Sequence, residues 1–225
     1  MLFISLLSSP SWSETMDDLV NRGGLYYNQL TDVPFTGKVT GREQGSFKNG
    51  ERHGAWISYH ENGQLWYEGN YKNGKSEGTW TEYHTNGQLW FKDNYNKGKR
   101  EGALISYRLN GQLFSKENYK NGKLEGTSVT YHMNGQLWTK GTYKNGEKDG
   151  TWVGDQKDGQ LWWKGNYSNG IKQGTWVSYH ENGPLRYKGN YKDGKEEGVW
   201  VKYKEDGTIW GKYTGTFKNG KKISD

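Results

Sequence analysis

The sequence predicts an all-β chain: an elongated single-layer antiparallel sheet of repeated β-hairpins, each unit 24 residues long. Three observations carry that prediction. Phe47, Tyr71, Tyr95, Tyr119, Tyr143, Tyr167 and Tyr191 stand 24 positions apart and Phe217 follows after 26, so one supersecondary unit recurs from Gly45 onward. Asn-Gly or Asp-Gly pairs fall twice in most units, as at Asn73-Gly74 and Asn86-Gly87, and such pairs favour the positive-φ turns that close hairpins. The 225 residues are only 31% hydrophobic but 16% aromatic, with Gly 34, Trp 12 and Tyr 17. Too few aliphatic side chains are present to fill a thick core, whereas rings on adjacent strands can hold a thin sheet together.

Taken in chain order, the first segment is Leu2-Phe3-Ile4-Ser5-Leu6-Leu7, an apolar run followed by small residues up to Ser13. It resembles the end of a secretory signal, so residues 1–13 are expected to be a truncated signal peptide and the protein to be exported. No Lys or Arg precedes the run, and the alternative is an apolar terminus on a cytoplasmic chain. No other stretch approaches the roughly 18 apolar residues of a membrane-spanning helix. Residues 14–44 are expected to form a degenerate N-terminal cap, because Phe35-Thr36-Gly37-Lys38-Val39 echoes Tyr67-Glu68-Gly69-Asn70-Tyr71 and a repeat array needs end units that do not offer a bare edge.

Residues 45–225 hold seven copies and a final half of the approximate pattern G-x-Y-K-N-G-x-x-x-G-x-W-x-x-Y-H-x-N-G-Q-L-W-x-K. In the strand Leu65 to Tyr71, alternation places Leu65, Tyr67, Gly69 and Tyr71 on one face. In the next, Gly78 to Tyr83, Trp80 and Tyr83 lie an odd number apart, so burying both calls for a bulge or early turn. With strands about 4.8 Å apart, each copy advances the sheet by roughly 10 Å and the whole body by roughly 70 Å. Near the C-terminal end, Gly211-Lys212-Tyr213-Thr214 supplies the two extra residues before Phe217.

Apparent chemical sites dissolve into this periodicity. Gly69-Asn70-Tyr71-Lys72-Asn73-Gly74-Lys75-Ser76 matches the phosphate-loop pattern G-x-x-x-x-G-K-[ST], but a true phosphate loop leads into a helix N-terminus and a Gly-Thr-Trp strand follows here. His60, His84, His132 and His180 occupy one repeat position where Arg108, Gln156 and Lys204 also occur. At roughly 10 Å spacing they cannot share zinc bonds of about 2 Å, so they read as tolerated polar residues beside a turn. Carboxylates such as Asp155 with Asp158 or Glu205 with Asp206 read as solvated turn residues. With Cys 0 thiolate metal sites and disulfides are excluded. No catalytic set, cofactor or metal is expected. The formal charge of +6 and pI near 9.1 permit anionic partners but fall short of a nucleic-acid footprint.

The aromatic rows remain. Trp56, Trp80, Trp152, Trp176 and Trp200 mark one strand, with Leu104 and Ser128 in two copies. Trp66, Trp90, Phe114, Trp138, Trp162 and Trp210 recur after the leucine of the other strand, facing away from the row of Tyr67 by alternation, and are the candidate interaction surface.

The motif Tyr67-Glu68-Gly69-Asn70-Tyr71-Lys72-Asn73-Gly74, followed by Glu77-Gly78-Thr79-Trp80, resembles the MORN repeat. The spacing and the phrase NGQLWxKGxYKNGK resemble its bacterial variant, over Gly45 to about Lys222. The resemblance implies a hairpin-built sheet whose repeats act as spacers and binding surfaces for proteins, with lipid contacts proposed for some members and antitoxin roles for bacterial ones. No catalytic residues come with it. The expectation is a non-enzymatic scaffold for protein–protein interaction, its partner a protein such as a toxin. The alternative is a cell-envelope module that meets polysaccharide or an anionic surface through its aromatic rows and Lys72, Lys92, Lys140, Lys164 and Lys188.

Overall fold

A computed structural model describes residues 14–225; the expected signal segment lies outside them. Strand follows strand in chain order through one mostly antiparallel sheet, each pairing with the next from Gly37–Thr40 to Lys221–Ser224. The all-β hairpin architecture is therefore observed. Two 3-10 turns, Met16–Asp18 and Gly211–Tyr213, are the helical elements among the described residues. The second absorbs the extra residues before Phe217.

One unit shows how the sequence folds. Leu65–Lys72 turns through Asn73 (φ 50°) and Gly74 (φ 69°) into Lys75–Tyr83. Both turn residues have positive φ, which matches the right-handed twist of the flanking strands and explains the Asn-Gly preference there. The second Asn-Gly does something else: Asn86-Gly87 sits in the wider loop from His84 to Gln88, closed by the amide of His84 donating to the Gln88 carbonyl (2.8 Å) and that of Gly87 donating to the His84 carbonyl (2.8 Å). Only the glycine of that pair has positive φ.

Two irregularities recur along the array, at positions the sequence pattern did not fix. The first follows Glu77, where Gly78 (φ 70°) sits in a bulge opposite Gly69. The second is on the partner strand, where Glu82 pairs with Phe91 but Tyr83 with Leu89, leaving Trp90 as the extra residue. The strand carrying Trp80 and Tyr83 has no extra residue of its own, the shift between Glu82 and Tyr83 being taken up by the partner. The two rings face opposite sides of the sheet, and Tyr83 is held there by donating its hydroxyl to Glu68 (3.1 Å). The same bulge takes Leu65 off the face of Tyr67, Gly69 and Tyr71, because Leu65 pairs with Tyr59 on the far side while Tyr67 pairs with Ser58.

The core is a single file of rings on one face. Trp56, Trp152, Trp176 and Trp200 are buried, each laid over a glycine of the preceding strand: Gly45, Gly141, Gly165 and Gly189. Their indole N–H groups donate to the carbonyls of Ser46, Thr142, Asn166 and Asn190 at 3.0–3.2 Å. Tyrosines alternate with them edge to face, as Tyr167 against Trp176 (centroids 5.1 Å) and Tyr191 against Trp200 (4.9 Å), an arrangement that adds to the area buried. Cations cover the outer ends: Arg52 lies 4.3 Å over Trp56, and Lys148 and Lys172 lie 4.2 Å over Trp152 and Trp176.

Two consecutive units break the file in a concerted way. Where Leu104 and Ser128 replace tryptophan, the glycine beneath is replaced as well, by Asp93 and Glu117. Asp93 fills the vacated space with its carboxylate paired to Arg100 at 2.8 Å. In these same units the second strand is interrupted at Glu101 and Glu125.

At the N-terminal end, Glu14–Thr15 pairs in parallel with Gly37–Thr40, and the hairpin Leu19–Arg22/Leu25–Asn28 stands beside the sheet. Leu19, Val39, Phe47 and Trp56 pack there with Met16, Tyr26 and Phe35.

Candidate interaction surfaces

The sheet offers three places to bind: the ring face, the opposite face, and the rim where the five-residue loops lie. The candidate row Trp66, Trp90, Phe114, Trp138, Trp162 and Trp210 lies on that rim. Trp66, Trp90, Phe114, Trp138 and Trp162 are the extra residues of the recurrent bulges. Trp90, Trp138, Trp162 and Trp210 are 39–44% exposed, while Trp66 and Phe114 are half-buried. The partial burial has a cause: His60, His84 and His132 stack on Trp66, Trp90 and Trp138 with centroids 5.5–5.8 Å apart, and Arg108 lies 4.5 Å over Phe114. A His or Arg thus holds one side of these four rings, and Tyr67 and Phe91 meet Trp66 and Trp90 edge to face as well. Arg186 interrupts the row between Trp162 and Trp210, where a cavity of about 780 Å³ is lined by these three with His180, Glu181 and Lys204.

The histidine position is structural in a way the sequence reading missed. Each of these side chains reaches a backbone carbonyl of the next unit: His60 to Tyr83 (2.9 Å), His84 to Tyr107 (3.1 Å), His132 to Asp155 (2.8 Å) and His180 to Tyr203 (3.0 Å). Arg108 donates to Tyr131 (2.7 Å) in the same place, and Gln156 donates one residue further along, to the His180 carbonyl (2.9 Å). What recurs is an N–H donor of suitable reach, which His, Arg and Gln all supply. They are not merely tolerated. Among the described residues no group of three or more His, Asp or Glu gathers that could hold a metal.

The phosphate-loop match is strand, two-residue turn and strand. Ser76 occupies the position that Arg52, Lys148 and Lys172 hold over the rings elsewhere, and no helix N-terminus follows to receive phosphate.

The model of a MORN repeat variant matches this chain at residues 52–73, 76–97, 100–121, 124–145 and 172–193. The chain belongs to the MORN-repeat family. The segment between the fourth and fifth matches forms the same hairpin, Glu147–Asp155 with Leu161–Ser168, so MORN geometry extends past the matched residues. No curated protein matches the chain. Among solved structures, a crystal structure of the GtfA/B complex bound to UDP and GlcNAc aligns at 18% identity and TM-score 0.17, covering 59% of this chain and 24% of that one. The chain thus spans about a quarter of that protein's length, and the likeness carries no argument. As a MORN-repeat protein it is a repeat scaffold for binding interactions. Among its described residues no helix is long and apolar enough to cross a membrane.

Proposed function

We propose that this MORN array is a non-enzymatic scaffold that engages a protein partner along its tryptophan rim. The observation that carries this is the recurrence of part-exposed rings on bulges, of which Trp66, Trp90 and Trp138 are each pinned on one side by a histidine and Phe114 by Arg108. Such rings are pre-ordered, so little side-chain freedom is lost when a partner covers them, and Trp and Arg are the residue types that dominate protein interfaces. Successive rims lie roughly 10 Å apart along the sheet, which suits an elongated partner surface. A toxin neutralised by this scaffold is the specific partner we put forward, on the strength of the family resemblance.

The test is co-expression with a toxin encoded beside the gene, and titration of the purified pair. The triple variant Trp90→Ala/Trp138→Ala/Trp162→Ala is expected to weaken binding at least a hundredfold, because centrally placed Trp truncations cost on the order of 2 kcal/mol or more each. Unchanged affinity in that variant refutes the rim as the binding surface.

A further inference from the structure

The face opposite the rings carries a feature the rim reading does not use. Across eleven consecutive strand positions the register runs Thr81, Lys92, Ile105, Lys116, Val129, Lys140, Val153, Lys164, Val177, Lys188 and Val201, each paired with the next. Cross-strand partners share a face, so Lys92, Lys116, Lys140, Lys164 and Lys188 form one straight file, separated by β-branched residues. With two strand spacings between neighbours, the lysines repeat about every 10 Å over about 38 Å. All five are exposed. None makes an ion pair or covers a ring among the described residues. Lys72 lies in a different row, beside the turn, and the file position in its unit is Glu68.

A second row runs parallel to the file. Thr79, Thr151 and Thr175 donate their hydroxyls to the side-chain oxygens of Asn94, Asn166 and Asn190 at 2.7–2.8 Å. The amide nitrogens of these asparagines donate no hydrogen bond among the described residues, so their N–H donors are available to a ligand. Ammonium groups and amide donors side by side make a surface suited to a ligand rich in acceptors and negative charge.

We propose that this face binds a linear acidic polysaccharide, a polyuronate, laid lengthwise along the lysine file. Three features select this class. The charges form a line, matching a polymer more closely than a plane of headgroups. The residues between the lysines are half-buried Ile and Val with no large apolar side chain to enter a bilayer. The tyrosines of this face stand beside the file, as Tyr83 does with its hydroxyl on Glu68, and no aromatic ring stands between the lysines themselves to stack a base, as single-stranded nucleic-acid sites require. Carboxylates recurring along a hydroxyl-rich chain meet both the lysines and the asparagine donors.

The experiment is calorimetric titration of the full chain with polygalacturonate oligomers long enough to span the file, and with their methyl esters, phosphatidylserine vesicles and poly(dT) as alternatives. Binding is expected to the free acid alone and to weaken as salt rises. Lys116→Gln/Lys140→Gln/Lys164→Gln should weaken it on the order of tenfold, at the roughly twofold or more that each exposed charge contact supplies. Trp138→Ala and Trp162→Ala should leave it unchanged, which separates this face from the rim. Absence of binding, equal binding of the methyl ester, tighter binding of vesicles or poly(dT), or wild-type affinity in the lysine variant each overturns the proposal.

Discussion

Replacing Gly165 by alanine tests the packing that holds the sheet together. A Cβ on Gly165 would lie closer than 3.0 Å to ring atoms Cδ2 and Cε2 of Trp176. The indole cannot easily yield. Its N–H donates to the Asn166 carbonyl (3.2 Å), Trp163 stacks on it at 5.6 Å, Tyr167 and Tyr191 meet its edges, and it is 2% exposed. A ring that shifts within its site pays overpacking costs of about 1–3 kcal/mol. A ring expelled from it forfeits most of what Trp→Ala truncation forfeits, about 3–5 kcal/mol. We expect about 3 kcal/mol, the overlap of the two ranges. Because repeat arrays open locally, native-state hydrogen exchange at the amides around Trp176 is the suitable assay, and exchange there should quicken roughly a hundredfold. In a Trp176→Leu background the added methyl meets no indole, so the double-mutant cycle should show coupling of about 1.5 kcal/mol or more. Additivity within about 0.5 kcal/mol would refute the reasoning. The chain has already run a version of this experiment: at Leu104 and Ser128 the indole and the glycine beneath it are absent together.

Other expectations follow from the same geometry. His180→Ala should destabilise the C-terminal units by about 1–3 kcal/mol, because the Tyr203 carbonyl loses its donor, while His180→Gln should cost less, under about 1 kcal/mol, since Gln156 at the same repeat position still donates to a carbonyl of the next unit, one residue further along; thermal unfolding compares the two. Burial raises the Asp93 carboxyl above its usual 3.8, so the fold holds that proton more tightly than the unfolded chain does. The stability of the wild type relative to Asp93→Asn should therefore fall as pH rises from 3.8 through the folded value, and a flat difference across acid titration would count against it. Burial between Trp176 and Trp200 pushes Tyr191 up to about 12. Stability should accordingly drop between pH 10 and about 12 as the unfolded phenol ionises first, and Tyr191→Phe should lessen that drop.

How much was legible in the residues depended on whether a position acts through its own backbone or through a neighbouring unit. Asn73-Gly74 announces its turn because positive φ selects those two residue types whatever surrounds them. The 24-residue spacing gives strand number and order because each unit can pack only on the next. The bulge at Trp90 left no such mark. It depends on how Tyr83 and Leu89 pair across the loop, and alternation read along a single strand cannot detect an extra residue on the partner. Leu65 was placed on the wrong face for that reason. The donor ladder was hidden because His, Arg and Gln look unrelated until the Tyr131 and His180 carbonyls stand beside Arg108 and Gln156. Of the candidate row, Trp90, Trp138, Trp162 and Trp210 are part-exposed, but what half-covers Trp90 and Trp138 is the preceding histidine, which sequence spacing gave no reason to put there.

The distribution of these duties across the sheet bears on where function resides. On the ring face, a change at one position is answered at another: loss of tryptophan at 104 comes with Asp93 and its partner Arg100. At the loop rim, the donor varies but the bond to the next unit persists. Both patterns are what a folding constraint produces, because a buried donor, acceptor or void must be satisfied locally. The lysine file shows neither pattern. Lys92, Lys116, Lys140, Lys164 and Lys188 make no contact with one another's neighbours that the fold needs, and a row of like charges gains nothing for stability in a sheet. Five lysines in register therefore ask for an explanation outside the fold, and an oppositely charged ligand of matching length supplies one. On this argument, replacing all five by glutamine should leave the unfolding temperature unchanged or raised; a marked fall would return the file to a structural role and remove the ground for a ligand.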